Sequence, residues 1–515
     1  MKFHCVVAML VLLGCDTEPT GHAQTACDAG DGQACVCPTG AGSQTCAADG
    51  TRWGACSCDQ EPADVGDDGD SGPTDTREDG AADASDTGVD APDAADVPDA
   101  PDPPGGPYNL LLIIVDDLGL DHAACYGVAD DIAPTPNIQA LCDRGVVFDR
   151  AWATPTCSPT RAALLTGQHP YLTGVGRPSG GDTPGIDPDA NTLPRAMTAQ
   201  GLGYATANIG KWHLSGNNNR GQRVPNDLGW DHYSGLIRGA VPDYYAWPKV
   251  TDGQPSDVTN YATSEMVDDA ARWLGQQQGP WFLWLALNAP HTPFHVPPAD
   301  LHSYDLGPAG DCPDGQDATC YRAAIQALDA ELGRLFEAIG EEEMARTLVV
   351  YLGDNGTPAG VAQDPVARTR AKDTLYEGGV HVPFVVAGPH VVGGGRRVDA
   401  LVDVTDVFPT FLEAAGGTSD PALLGRSLLP YLKAEDTAPQ RDFVLTQLYS
   451  DELDRGGVAI RDDRFKLIRF LNADESLFDL EQDAWEGDDL LLGDLGDDAQ
   501  AGYDRLDAQL TSLGL

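Results

Sequence analysis

Four runs of consecutive apolar, β-prone residues punctuate the chain: LLLIIV (Leu110–Val115), YATANI (Tyr204–Ile209), WFLWLAL (Trp281–Leu287) and TLVVYL (Thr347–Leu352). Their apolarity is continuous rather than alternating, the pattern of strands buried on both faces of a sheet. Between them, TPNIQALCDRG and YRAAIQALDAELGRLFEAIG carry helical spacing. Strand and helix in alternation predict an α/β sandwich around a largely parallel sheet. DVFPTFLEAAGG, from Asp406, predicts one more helix closing this part, and VAIRDDRFKLIRF predicts a hairpin turning at Asp462 and Asp463. The organisation read from this is a main α/β domain over 108–420 and a smaller antiparallel subdomain over 421–515.

Residues 1–107 have a different character. Lys2 precedes the apolar stretch CVVAMLVLLG, which is too short to span a bilayer and reads as an export signal over 1–15. It ends in LLGC, similar to a bacterial lipobox, with Cys15 as the residue that would be lipidated and anchor the protein to the cell envelope. Residues 16–59 hold Cys27, Cys35, Cys37, Cys46, Cys56 and Cys58, a cysteine-rich module suited to disulfides in an oxidising compartment, with its pairing open. Cys312 and Cys320 are close enough to close a loop of their own. Residues 60–107 are Asp-, Ala- and Pro-rich with almost no large side chains, so they predict a disordered, self-repelling tether.

Charge narrows the function. The chain has 80 Asp and Glu against 31 Lys and Arg, a formal net charge of −49, and such a surface repels nucleic-acid phosphates. Any anionic substrate therefore needs a locally positive site.

The four buried runs all end in chemically capable residues: Asp116 and Asp117; Lys211 and His213; His291; Asp354 and Asn355. Ligands of open α/β sheets gather beyond the carboxyl ends of the strands. Singly, each ending reads equally well as turn or cap chemistry; four together point to one site. Asp116, Asp117, Asp354 and Asn355 offer only hard oxygen donors, which suits Ca²⁺ or Mg²⁺ rather than Zn²⁺. Arg161, Lys211 and Lys372 would complete a positive pocket. Cys157 stands apart from the other cysteines, at the start of a predicted helix with Pro159 in its first turn. The helix N-terminus and Arg161 favour an anion there, an environment that could activate a thiol. A buried cysteine acting as a small apolar residue is the plain alternative.

From Tyr108 onward the chain resembles the sulfatases of the alkaline-phosphatase-like superfamily. PTCSPTRAALLTG and GYATANIGKWH match the two sulfatase signatures, and IIVDDLG, TPNIQAL, APHTPFHVP, YLGDNG, KDTLYEGGVHVPFVVAGP and LFDLEQD follow in the family's order. The resemblance implies an alkaline-phosphatase-like α/β/α sandwich with a large mixed, mostly parallel sheet and a small C-terminal antiparallel sheet. It implies a sulfuric ester hydrolase acting on a glycan or on aryl or alkyl sulfates. It also implies that Cys157 is oxidised to Cα-formylglycine by a separate maturation enzyme that reads Cys157, Pro159 and Arg161. The hydrated aldehyde would attack sulfur with one hydroxyl and release sulfate through the other. By the same resemblance Asp116, Asp117, Asp354 and Asn355, with the modified residue 157, would bind Ca²⁺, or Mg²⁺ as the other hard cation. Arg161 would hold the hydrate, Lys211 would contact residue 157 and sulfate, and His213 would act as a base. His291 and Lys372 would protonate the leaving oxygen.

Two other functions fit the same residues: a phosphonate monoester or phosphodiester hydrolase on the same site, and a catalytically silent surface binder of sulfated glycans. The segments RGAVPDYYAWPKV and APHTPFHVPP are expected to shape the pocket, and His295 to support it.

Overall fold

The structure is a computed structural model that describes residues 108–434 and 437–515, together with the backbone of a short hairpin, Gly32–Cys37 paired with Gly40–Thr45. The readings of an export signal, lipidated Cys15, cysteine-rich module and acidic tether otherwise lie outside the described residues.

The main sheet has ten strands. They are β1 (Asn109–Val115), β2 (Val146–Trp152), β3 (Ala205–Lys211), β4 (His232–Leu236), β5 (Trp247–Thr251), β6 (Gln254–Val258), β7 (Trp281–Leu287), β8 (Thr347–Gly353), β9 (Phe384–Ala387) and β10 (Arg396–Asp403). Their spatial order is β10-β2-β9-β8-β1-β7-β3-β4-β5-β6. The four apolar runs read from the sequence are β1, β3, β7 and β8, and they lie side by side in parallel at the centre. Burial on both faces explains their unbroken apolarity: every residue of β1, β7 and β8 is buried. The sheet is mixed because β9 and β5 run antiparallel to their neighbours.

Helices cover both faces. α1 (Pro136–Arg144), α3 (Ala262–Leu274) and α4 (Asp317–Ile339) pack on one apolar cluster with Leu111, Ile113 and Leu285. α2 (Cys157–Thr166) and α5 (Val407–Ala414) pack on the other with Leu110, Leu112 and Trp284. α2 is buried along its whole length, which places its first residue inside the protein rather than at its surface.

A four-stranded antiparallel sheet follows: β11 (Val444–Leu448), β12 (Gly457–Arg461), β13 (Phe465–Phe470) and β14 (Glu475–Asp479), backed by α6 (Asp497–Leu513). The β12–β13 turn falls at the expected Asp462 and Asp463. One face of this sheet buries Val444, Ala459 and Ile468 against Trp152, Leu375, Val380 and Leu401 of the main body. The Cys312–Cys320 disulfide is present as expected, and a second, Cys125–Cys142, joins the loop after β1 to α1. Among the described residues no helix is long and apolar enough to cross a membrane.

The seam between the two sheets contains a buried ionic cluster. Lys466 Nζ lies 3.0 Å from Glu377 and 2.7 Å from Glu486, while Glu377 also meets His381 Nδ1 at 3.0 Å. Burial pushes Glu486 up to about 7, with Glu377 adding to burial against the opposing pull of Lys466. Glu377 itself is held well below its usual range, because Lys466, His381 and Arg461 outweigh burial. The folded state thus keeps a proton on Glu486 that the unfolded chain releases near 4.5. Its contribution to stability is complete below that value and is lost as pH rises through about 7. Glu486→Gln is expected to flatten the decline of Tm between about pH 5 and pH 7 in thermal melts. Asp406, raised to about 7 by burial, keeps its own share of the slope.

Candidate active site

The sheet delivers its chemistry at the carboxyl ends of the four central strands. Asp116 and Asp117 follow β1, Lys211 ends β3, His291 follows β7, and Asp354 and Asn355 follow β8. A Cβ on Gly210 would stand 1.9 Å from the Ala286 carbonyl oxygen. Only glycine lets β3 and β7 close up where Lys211 leaves the sheet.

Cys157 is the first residue of α2, and Pro159 lies in the first turn, where its missing N–H is harmless. The thiol is buried and lies 3.4 Å from Asp116 Oδ1, 4.0 Å from Asp117 Oδ1 and 3.2 Å from Lys211 Nζ. It is the free cysteine among the described residues. Burial pushes this thiol well above its usual range, and Asp354 and Asp116 add to burial, outweighing Lys211. Of the two readings of a plain thiol, the buried cysteine describes it: the helix N-terminus is present, but desolvation and two carboxylates oppose its ionisation.

Arg161 directs its hydrogen bonds to Asp354 and Lys211. Its Nε and Nη2 hold Asp354 Oδ2 at 3.1 and 2.7 Å, and its Nη1 donates to the Lys211 carbonyl at 2.8 Å. It braces β8 against β3, and Lys211 takes the position beside residue 157. Lys211 Nζ also lies 2.6 Å from Asp116 Oδ2. Asp116 is held far below the usual carboxylate range, since Lys211, His291, Arg161 and Lys372 together overcome its burial.

On the outer side, Lys372 Nζ lies 2.6 Å from Asp117 Oδ1 and His291 Nε2 lies 3.7 Å from Asp117 Oδ2. Asp117 adopts φ 69°, and its carbonyl accepts from the Tyr321 hydroxyl of α4. His213 is also left-handed, at φ 55°. Its carbonyl accepts from Ser158 Oγ at 2.7 Å, and its Nδ1 has no partner among the described residues. Burial, reinforced by Lys211 and Arg161, holds its imidazole neutral. Such unfavourable backbone at two site residues persists because these contacts over-determine it.

All the site residues read from the sequence thus meet in one place, with different closeness. Ligand atoms of Asp116, Asp117, Cys157 and His291 lie within 4.8 Å of one another, a group able to hold a metal ion. Asn355 Nδ2 donates to Asp117 Oδ1 at 2.9 Å, while its buried Oδ1 has no donor among the described residues. Asp354 sits further back, with Oδ1 on the Asp117 amide and Oδ2 on Arg161. Clustered carboxylates and an orphaned amide oxygen fit a hard divalent cation. Asp116, Asp117 and Asp354 are formally balanced by Arg161, Lys211 and Lys372, so a divalent cation would leave this pocket positive inside a strongly acidic protein.

Sequence reasoning missed Ser158, Tyr321 and Thr160, whose Oγ1 donates to the Asp354 carbonyl at 2.7 Å. Ser158 and Thr160 lie within the PTCSPTR segment, which was the available signal. Tyr321 reads as an ordinary apolar-face residue of α4. His295 is a support, as expected: it stacks on Tyr244 at 3.6 Å and pairs with Tyr261 at 3.0 Å. Tyr244, from the DYYAW segment, donates to the carbonyls of Asn288 and His291, which fixes the loop carrying His291.

Residues 108–417 match the sulfatase family model, and residues 369–511 match the C-terminal model of N-sulphoglucosamine sulphohydrolase. The chain belongs to the sulfatase family. It is 30% identical over 363 residues to the N-acetylgalactosamine-6-sulfatase of Sus scrofa, covering 63% of this chain and 66% of that enzyme's length. It is 27% identical over 401 residues to arylsulfatase A of Homo sapiens, covering 70% of this chain and 74% of that protein. Among solved structures, Ps i-CgsB in complex with k-i-k-neocarrahexaose is 27% identical with a TM-score of 0.65, over 75% of this chain and 88% of that one.

Proposed function

We propose that this protein hydrolyses sulfate esters of a sulfated glycan, with Cys157 matured to formylglycine and a divalent cation, Ca²⁺ foremost, held beside it. The observation that carries the reading is the placement of Cys157. Its side chain sits among Asp116, Asp117 and Lys211, in a position suited to a nucleophile, yet as a thiol it is desolvated and burial opposes its ionisation. A site so complete around an unreactive group fits a residue that is converted before use. The relatives named above support the sulfate-ester chemistry and, through the carrageenan-type ligand, a glycan substrate.

The matured residue would supply two geminal hydroxyls, one to attack sulfur and one to let the residue revert and expel sulfate. Asp116, Asp117 and Asn355, with Asp354 behind them, would hold the cation, which supplies charge stabilisation at the reacting oxygens. Lys211 Nζ, 3.2 Å from the residue-157 side chain, orients it and meets the sulfuryl group. Arg161 keeps Asp354 and Lys211 in register. His213, neutral and with a free ring nitrogen, is placed to accept a proton. Lys372 and His291 line the outer side, where the departing oxygen must gain one.

We place the protein outside the cytoplasm, anchored through Cys15. The Cys125–Cys142 and Cys312–Cys320 disulfides support an oxidising compartment. The matured protein is expected to hydrolyse 4-nitrophenyl sulfate with kcat/KM at least about tenfold above that for the corresponding phenylphosphonate ester, and to lose this activity to a chelator. A preference for the phosphonate ester would instead assign the site to phosphonate monoester hydrolysis.

A further inference from the structure

A cleft of about 710 Å³ flanks the catalytic centre on the His213 side. Gly239 in its wall lies directly against His213: a Cβ there would stand 2.4 Å from the imidazole Cε1 and Nε2. Two loops, 179–186 and 214–221, form the opposite wall, and the triplet Asn217-Asn218-Asn219 stitches them together. Asn217 Nδ2 donates to the Asp182 carbonyl. Asn218 Oδ1 accepts from Gly185 N at 2.7 Å, and Asn219 Nδ2 reaches the carbonyls of Ile186 and Leu214 at 2.7 and 2.9 Å. These bonds tie the two loops to each other in a fixed arrangement. Gly180, Gly181 and Gly221 have positive φ and open space where a Cβ would be, leaving bare backbone along the cleft.

The cleft's chemistry is cationic. Arg220 and Arg238 line it, both exposed and neither in an ion pair among the described residues; Asp182 is the one carboxylate in the lining. Arg220 has a 3.4 Å contact to the Gly181 carbonyl. Ser179 and Ser215 also line it, and their buried hydroxyls have no partner among the described residues. Two unpaired guanidiniums on one short cleft stand out in a chain of net charge −49. The cavity of about 550 Å³ on the Lys372 side lacks this bias, since Arg368 and Arg455 there are matched by Asp373 and Asp454.

We propose that the Arg220–Arg238 cleft is a second anion subsite, which takes a further sulfate or carboxylate of a polyanionic glycan whose scissile sulfate lies at residue 157. It rests on the sulfatase reading for the bond cleaved, and it adds that the substrate carries more than one negative group, held by planar guanidinium forks suited to oxyanions.

The test uses Arg238→Glu and the double variant Arg220→Glu/Arg238→Glu, both at exposed positions outside the catalytic set. Binding of polysulfated hexasaccharides from carrageenan and from glycosaminoglycans is measured by calorimetry in a Cys157→Ala background, beside singly sulfated counterparts of both and the unsulfated, uronate-containing glycosaminoglycan chain. Turnover is measured in the matured protein on the best-bound hexasaccharide and on 4-nitrophenyl sulfate. The expected result is binding weakened by about tenfold or more in each variant, a matching rise in KM for the hexasaccharide, and an unchanged rate on the aryl sulfate. Retained affinity for the uronate-containing, unsulfated chain would identify the bound group as carboxylate, and its loss as sulfate. Unchanged binding in the double variant would overturn the proposal, as would equal loss on both substrates or no preference of the parent protein for multiply charged chains. Absence of any sulfatase turnover would remove the catalytic reading alone, because the binding comparison decides the subsite without it.

Discussion

Cys157→Ala is expected to abolish sulfate-ester hydrolysis, lowering kcat by about 10⁴-fold or more, with the fold retained. The side chain is small and buried at the first turn of α2, so its truncation removes few contacts; what it removes is the group that Lys211 Nζ and the Asp116 carboxylate both meet. Cys157→Ser separates the formylglycine chemistry from simple nucleophilic attack. Serine supplies one hydroxyl in the same position and lacks the second that would release the product. The expected outcome is at most one equivalent of sulfated protein, without turnover. Steady-state turnover by Cys157→Ser comparable to that of the matured parent would show that the modification is unnecessary.

Asp116→Asn is expected to remove cation binding and to destabilise the protein by roughly 3–5 kcal/mol, because it leaves the fully buried Lys211 ammonium without its counter-charge. Lys211 meets Asp116 at 2.6 Å, and Asp354, the other carboxylate that acts on it, is already bound to Arg161. Removing both charges in Asp116→Asn/Lys211→Met should recover much of the lost stability while leaving activity and cation binding absent. Thermal or urea unfolding reads the first effect, and Ca²⁺ titration calorimetry reads the second. If Asp116→Asn is as stable as the parent, the pair is not the internal counter-ion system described above; if it still binds Ca²⁺ as tightly, the cation lies elsewhere.

The central sheet was legible because burial on both faces leaves a mark in local composition: β1, β3, β7 and β8 are near-continuous apolar runs. The strands that extend it were not, since β4, β5 and β6 mix polar residues with apolar ones and β9 is only four residues long. The site residues could be gathered because each follows one of the legible strands, and parallel neighbours bring those ends together. What could not be read was how the groups divide the space. Spacing put Arg161 beside Cys157, but the guanidinium is drawn to Asp354 and to the Lys211 carbonyl across the sheet. The helix N-terminus suggested an activated thiol; complete burial of α2 reverses that, and burial is a property of the packed protein rather than of the segment. The Cys125–Cys142 bridge likewise depends on where the loop after β1 meets α1, and no local spacing announces it.

The most direct test is mass spectrometry of the tryptic peptide Ala151–Arg161 from protein purified from its native host. Conversion of residue 157 to the aldehyde or its hydrate is the predicted result, and it would place a competent nucleophile among Asp116, Asp117 and Lys211. Intact cysteine throughout an active preparation would contradict it, since a buried, protonated thiol would then have to be reconciled with catalysis by some other group.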